Sequence, residues 1–407
     1  MARKLYSWNG VSPSSMKTIF AEFPPEKQAM NHRAKNANDM IQEYHRQQLY
    51  PGDNFQNLMI DNVLPKIHTS LTWDTMSRHP ASRSSTPESI TLSLLHWTSD
   101  MFISQLIEIY WGKKISIINP ELLRANLVWE KSTWKYIYRI PKTFANENYE
   151  ARKQINDTLE EYFKLPREER KDANFFVEAM EKELRGSGLN DVEVARVSML
   201  HLWAITGNNF KLAFWTIAYI IHDPELHAAV LAEIKPGVLE GVANMDYLKS
   251  ECPLLEAILN EVLRVTMASA LVRDVIVPTI IDGKILHRGD KLLIPYRQLH
   301  FNQDIWGANA NEFDPSRFIR DKSLGTNASY RPFGGGPGIC PGRHMARQAM
   351  YATVALLFTQ FDVSLAGESE GIMGKQQFPR MNETKPPLGT IPPMEGEDVI
   401  LLLRRTK

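Results

Sequence analysis

The stretch Phe333-Gly334-Gly335-Gly336-Pro337-Gly338-Ile339-Cys340-Pro341-Gly342 decides how the rest of the chain is read. Its glycines let the backbone take positive φ and approach a flat partner closely, at a lower cost than any residue with a Cβ. A helical pattern starts at Arg343, so Cys340 sits just before a helix. There, unpaired amide N–H groups and the positive end of the dipole favour a thiolate over a thiol. A thiolate in such a loop is a candidate metal ligand. The other reading is a glycine-rich turn whose cysteine packs as a small hydrophobe, and this stretch alone leaves both open.

A thiolate at the bottom of a glycine-lined loop suits axial ligation of a haem iron. Phe333, Gly336, Cys340 and Gly342, with Gly334 among the intervening glycines, resemble the haem-thiolate loop of the cytochrome P450 superfamily. Two further motifs carry the resemblance. In Leu259-Asn260-Glu261-Val262-Leu263-Arg264, Glu261 and Arg264 lie three residues apart on one helix face. Phe313-Asp314-Pro315-Ser316-Arg317-Phe318 resembles the later arginine motif of the family. Glu-x-x-Arg alone is common; followed by the arginine motif and then the cysteine loop, it is specific. The resemblance implies that Glu261, Arg264 and Arg317 form a buried charge cluster fixing the backbone that leads to Cys340.

Composition agrees with a large folded chain. The 407 residues can bury a substantial core, and 47 basic against 47 acidic residues leave a formal charge of zero, which favours no nucleic-acid partner. Two cysteines, Cys252 and Cys340, are too few for a disulfide framework and point to a reducing compartment. No window reaches the roughly 18 consecutive apolar residues of a membrane span, and MARKLYSWNG lacks the apolar core of a signal peptide.

The pattern predicts a polar helix over Asn36–Leu49 and an amphipathic one over Phe55–Trp73. A Ser/Arg/Pro linker follows over Ser82–Pro87, then a long apolar helix from Glu88 to Gly112. Helices are expected over Pro120–Pro141, with Trp129 and Trp134 as core or substrate-roof candidates, and over Glu147–Lys164. A surface loop is expected over Pro166–Asp172. Asn190 to His222 reads as the longest helix, capped by Asn/Asp and stopped at Asp223-Pro224. Another helix runs over Tyr247–Val265, short strands over Leu271–Val277, Ile280–Leu286 and Lys291–Pro295, and a helix from Arg343 to Phe361. After Pro387-Leu388-Gly389-Thr390, a strand over Val399–Arg404 ends the pattern.

The resemblance covers the chain from about residue 40 to the end and implies a single P450 domain, 1–407. That domain is mainly α with a small β region, holding haem b between the Asn190–His222 helix and the Cys340 loop. Most members carry an acid and then an alcohol in the central helix, where they relay protons to dioxygen. Those positions fall here on Gly207, without a side chain, and Asn208, which donates hydrogen bonds but does not titrate. Thr206 is the neighbouring candidate hydroxyl, turned away by a helical step of about 100°. An asparagine in this helix is similar to sterol 7α-hydroxylases and to prostacyclin synthase, which differ in chemistry. Gly338 stands where many members place a basic partner for a haem propionate. Arg273 and His300 are the candidates to replace it, and His45 or Arg46 is a third, against the reading of a solvated helix face.

The activity implied is monooxygenation of a hydrophobic sterol, terpenoid or polyketide by dioxygen, with electrons from an NADPH-dependent P450 reductase. Isomerisation of an endoperoxide or hydroperoxide without a reductase is the alternative. The family's eukaryotic members associate with the endoplasmic reticulum membrane through an anchor that these residues do not show. Pro-Gly-Arg after Cys340 and the Pro-Leu-Gly-Thr tail are similar to fungal members of secondary metabolism. Strands that precede the matched region in typical members pair with those after Arg273. An unpaired sheet edge is therefore expected here, with a truncated, haem-poor remnant as a third reading.

Overall fold

The computed structural model describes residues 2–372, 374–386 and 388–406. Residues up to Pro80, Leu95–Phe210 and Pro341–Ala349 form one compact unit. Ala81–Leu94, Lys211–Cys340 and Met350 onward form a second. Of the Pro387–Thr390 tail, Pro387 lies outside the described residues.

The first unit is helical. Its main elements are α1 (Ala2–Trp8), α2 (Ala37–Leu49), α3 (Leu94–Trp111, from its second residue), α4 (Leu122–Ile137), α5 (Asn146–Lys164), α6 (Phe175–Gly186) and α7 (Asp191–Thr206). Caps fix several starts: the side chains of Asn36, Asn174 and Asn190 accept the N–H groups of Asp39, Val177 and Glu193. Trp97, Trp111 and Trp129 are fully buried. Trp129 stands edge-on to Tyr136 and Trp203, which makes it a core residue and not a roof. The loop expected at the surface over Pro166–Asp172 instead buries Arg170. Its guanidinium donates two bonds of 2.9 Å to the buried Glu181 carboxylate, because an arginine beside a buried acid is cheapest when paired.

The second unit contains α8 (Asn209–His222, from its third residue) and α9 (Pro253–Thr266). It also holds an antiparallel sheet in which β1 (Ser82–Ser85), β2 (Ser89–Ser93), β8 (Ile400–Arg405) and β7 (Phe361–Leu365) are neighbours in that order. The expected linker is thus a strand, and the apolar run after it begins as one. Ser-Ile-Thr-Leu-Ser alternates with period 2 and pairs with β8 before the helix takes over at Leu94. β3 (Ala270–Asp274) pairs with β6 (Lys291–Pro295), and β4 (Thr279–Ile281) with β5 (Lys284–Leu286). The result is two separate two-stranded ribbons. Helix α10 (Arg343–Gln360) follows the cysteine loop.

The predicted Asn190–His222 helix is two helices. Its ladder stops at Gly207-Asn208, where the N–H of Gly207 still donates to the Trp203 carbonyl at 3.0 Å. Glycine gives helical backbone less conformational support than any residue but proline. The Tyr247–Val265 helix divides likewise at Cys252-Pro253, since proline lacks the N–H needed inside a helix.

Candidate active site

Three parts expected to cooperate in the second unit do meet. Glu261 and Arg264 are wholly buried and Arg317 nearly so. Arg264 grips Glu261 with both arms of its fork, Nε to Oε2 at 2.8 Å and Nη2 to Oε1 at 2.7 Å. The remaining guanidinium hydrogens go to the carbonyls of His300, Ala310 and Glu312. Arg317 donates from Nε to Glu261 Oε1 at 3.0 Å and from Nη1 to the Trp306 carbonyl at 2.7 Å. The N–H of Asp314 adds a further bond to Glu261 Oε1. Each buried charge is therefore opposed and its hydrogens are used, the condition under which such a cluster is tolerated. Asp314 is held at about 2, against burial, by hydrogen bonds from Ser316 and Arg320.

His300 has a different place from the one expected. It is fully buried, its Nδ1–H donates to the Arg264 carbonyl at 3.0 Å, and its Nε2 accepts the N–H of Arg331 at 2.9 Å. Both ring nitrogens are used, so the imidazole has none to offer a propionate, and that assignment is corrected. Burial first of all, with the charge of Arg264 and Arg297 adding, pushes its pKa down to about 4. His300 is instead the link from the charge cluster to the cysteine loop. From Arg331 the chain turns through a bond from Gly334 N–H to the Arg331 carbonyl, and Cys340 N–H closes the loop on the Phe333 carbonyl at 2.9 Å.

Within that loop Gly334 and Gly336 have φ of +78° and +62°, and a Cβ on Gly336 would meet no atom within 4 Å. Cys340 is exposed, whereas Cys252 is buried, with its thiol pushed up to about 12 by burial and by Glu233 and Glu251. Arg273, on β3, brings Nη2 to 4.0 Å from where a Cβ on Gly338 would stand. The arginine thus reaches the position at which the loop lacks a basic side chain. An exposed thiol, an open glycine turn and an adjacent guanidinium suit a flat metal macrocycle with acidic substituents. Gly342 lies just beyond, its carbonyl accepting Ala346 N–H.

In the first unit, Thr206 is fully buried and its hydroxyl donates towards Leu202 O at 2.9 Å and Asn126 Oδ1 at 3.2 Å, which makes it a partner of α4. Asn208 is half-buried beside the helix break. Arg46 donates to Glu43 Oε2 at 3.0 Å, three residues back on its own helix. His45 is not on a solvated face. It is buried, stacked 3.7 Å from Phe176, and bonded through Nε2 to His201 Nδ1 at 3.0 Å, and His201 Nε2 meets Tyr6 OH at 3.1 Å. Sequence reasoning missed this chain, and it missed Glu130, whose Oε2 accepts Trp203 Nε1–H at 3.0 Å. The available signal was the spacing of Asn126 and Glu130, four residues apart on one face of α4.

A family model described as Cytochrome P450 matches residues 17–387. The chain belongs to the cytochrome P450 family. The P450 fold carries haem with a cysteine thiolate ligand, and Cys340 stands at that motif. The chain is 25% identical over 285 residues to cytochrome P450 monooxygenase nodJ of Hypoxylon pulicicidum, covering 65% of this chain and 54% of the relative. It is 31% identical over 198 residues to cytochrome P450 monooxygenase calL of Penicillium decumbens, covering 45% and 37%. Prostacyclin synthase of Rattus norvegicus is 29% identical over 222 residues, covering 49% and 44%. The P450 chain thus spans about half the length, or less, of these curated relatives. Among solved structures, retinoic acid bound cyanobacterial CYP120A1 matches with a TM-score of 0.68 and 19% identity. That match covers 89% of this chain and 78% of the other, a likeness of fold.

Proposed function

We propose that this chain is a haem-thiolate monooxygenase that inserts one oxygen atom of dioxygen into a hydrophobic substrate. The observation that carries the reading is the unbroken run of bonds from Glu261 through Arg264, His300 and Arg331 to the loop of Cys340. A buried, fully paired cluster spends its rigidity on holding one exposed sulfur. Haem b, bound through Cys340, supplies the activation of dioxygen. Arg273 is the proposed partner of a propionate, with Phe333, Gly334, Gly336 and Gly342 shaping the loop. Thr206, Gly207 and Asn208 form the polar turn proposed to face dioxygen. The reaction consumes substrate, dioxygen, two electrons and two protons and yields hydroxylated product and water, so it needs an external reductant such as an NADPH-dependent P450 reductase.

The substrate is proposed to be a sterol, terpenoid or polyketide. Pro-Gly-Arg after Cys340 and the Pro-Leu-Gly-Thr tail support secondary metabolism, and the resemblance to eukaryotic members of the family supports a setting at the endoplasmic reticulum membrane. Among the described residues no helix is long and apolar enough to cross a membrane. Isomerisation of a peroxide is the second reading, favoured by Asn208 in place of an alcohol and by the match to prostacyclin synthase. Purified protein is to be tested for the reduced carbon-monoxide band of a haem thiolate, then for product with and without NADPH and reductase. The band with strictly NADPH-dependent oxygenation is expected. Product from a peroxide substrate without reductase would establish the isomerase, and no band in wild-type protein would overturn the haem-thiolate reading. Cys340→Ala is expected to abolish the band.

A further inference from the structure

The end of α7 and the break after it offer Thr206, Gly207 and Asn208, none of which ionises, yet the proposed reaction takes up two protons for each dioxygen reduced. A carboxylate stands beside that turn on another helix. Glu130 of α4 places Oε2 at 3.4 Å from the position a Cβ on Gly207 would occupy, and the same oxygen accepts the Trp203 indole N–H at 3.0 Å. One helical turn earlier, Asn126 binds Thr206 through Oδ1, while its own Nδ2–H, fully buried, finds no acceptor among the described residues. Asn126 and Glu130 thus present one polar strip to a turn that carries no ionisable group of its own.

We propose that Glu130 supplies from α4 the proton-transferring carboxylate that position 207 lacks, with Asn126 orienting the water that links it to Thr206. With no side chain at 207, the carboxylate faces the bare backbone of the turn. In each transfer the Glu130 O–H breaks as an O–H forms on the adjacent water, and the half-buried carboxylate recovers a proton from solvent. Electrons come from the reductase of the proposed function, on which this inference rests. Charged neighbours on the packed helices are already engaged: Lys135 with Glu147, and Arg152 with the rings of Tyr136 and Tyr149. On α7, His201 is bonded to Tyr6 and His45, and Glu193 to Ser12 and Ser15. Lys131, next to Glu130 in sequence, also has a partner.

Glu130→Gln tests this, because the amide oxygen still accepts from Trp203 but carries no exchangeable acid. The holoenzyme variant is expected to keep its haem content and to lose product per NADPH by on the order of a hundredfold. Glu130→Ala combined with Gly207→Glu, which returns the carboxylate from the other helix, is expected to recover much of it. A readout apart from turnover is the Trp203 indole N–H resonance in the ferrous carbon-monoxide form, assigned with Trp203→Phe. In wild type it reports the bond to Glu130, and Glu130→Gln is expected to move it while leaving the ferrous carbon-monoxide band unchanged. Coupling in Glu130→Gln equal to wild type, or an indole resonance unmoved by the substitution, would overturn the assignment and leave the monooxygenase reading intact. Wild-type protein without NADPH-dependent turnover would remove both.

Discussion

Glu261 is the residue on which the second unit turns, since three partners share its two oxygens and its own side chain is wholly buried. Glu261→Gln or Arg264→Ala leaves a buried charge unopposed and is expected to cost about 3–5 kcal/mol. Urea unfolding of the variants against wild type measures the loss. The fall in haem retention is expected to exceed that of an exposed control such as Arg124→Ala. His201 makes a prediction in pH. Burial lowers its pKa to about 4 from the ordinary 6.5, and His45, buried against it, is lowered too. The folded state therefore excludes a proton that the unfolded chain accepts. The stabilisation is complete above pH 6.5 and declines as pH falls towards 4, by about 3 kcal/mol for a shift of this size. Melting temperatures at pH 7 and pH 5 should differ accordingly, and His201→Gln should flatten the difference.

Helices and strands were legible to different degrees. The motifs read correctly were those in which spacing and chemistry coincide within one segment, as with Glu261 and Arg264 on one face of α9. β2 was hidden because its five residues run directly into α3, so that an apolar strand and an apolar helix form one hydrophobic run. The break after Thr206 was hidden because glycine inside a helical pattern lowers helix stability without fixing where the helix ends. Neither Glu130 nor His300 was legible in role, because their partners lie 73 and 31 residues away in sequence. Termini of helices also carry a prediction. α3 stops at Gly112, whose φ is +75° and whose Cβ would stand 2.1 Å from Asp172 Oδ1. Asp172 in turn accepts Lys113 N–H at 2.8 Å. Gly112→Ala should cost about 1–2 kcal/mol from left-handed backbone alone, and more from displacing Asp172. Thermal unfolding reads it directly.

At the scale of the molecule, a chain with no formal net charge and a pI near 7.2 has little electrostatic repulsion between copies at neutral pH. The two-stranded ribbons of the second unit expose Ile280, Ile285 and Leu293 to 69%, 59% and 59%. Short apolar ribbons with open edges invite association. The double substitution Ile280→Lys and Leu293→Lys should leave unfolding free energy within about 0.5 kcal/mol and shift sedimentation at high protein concentration towards the smaller species.

The two cysteines differ in a way that turns the protein into its own gauge of loading. Cys252 is sealed inside with an unreactive thiol, and Cys340 lies open at the mouth of its loop. A maleimide offered to the native polypeptide should therefore mark position 340 alone, and occupation of the sulfur by iron should silence even that. Mass spectrometry of the adduct then counts empty molecules in any preparation, before a substrate is known.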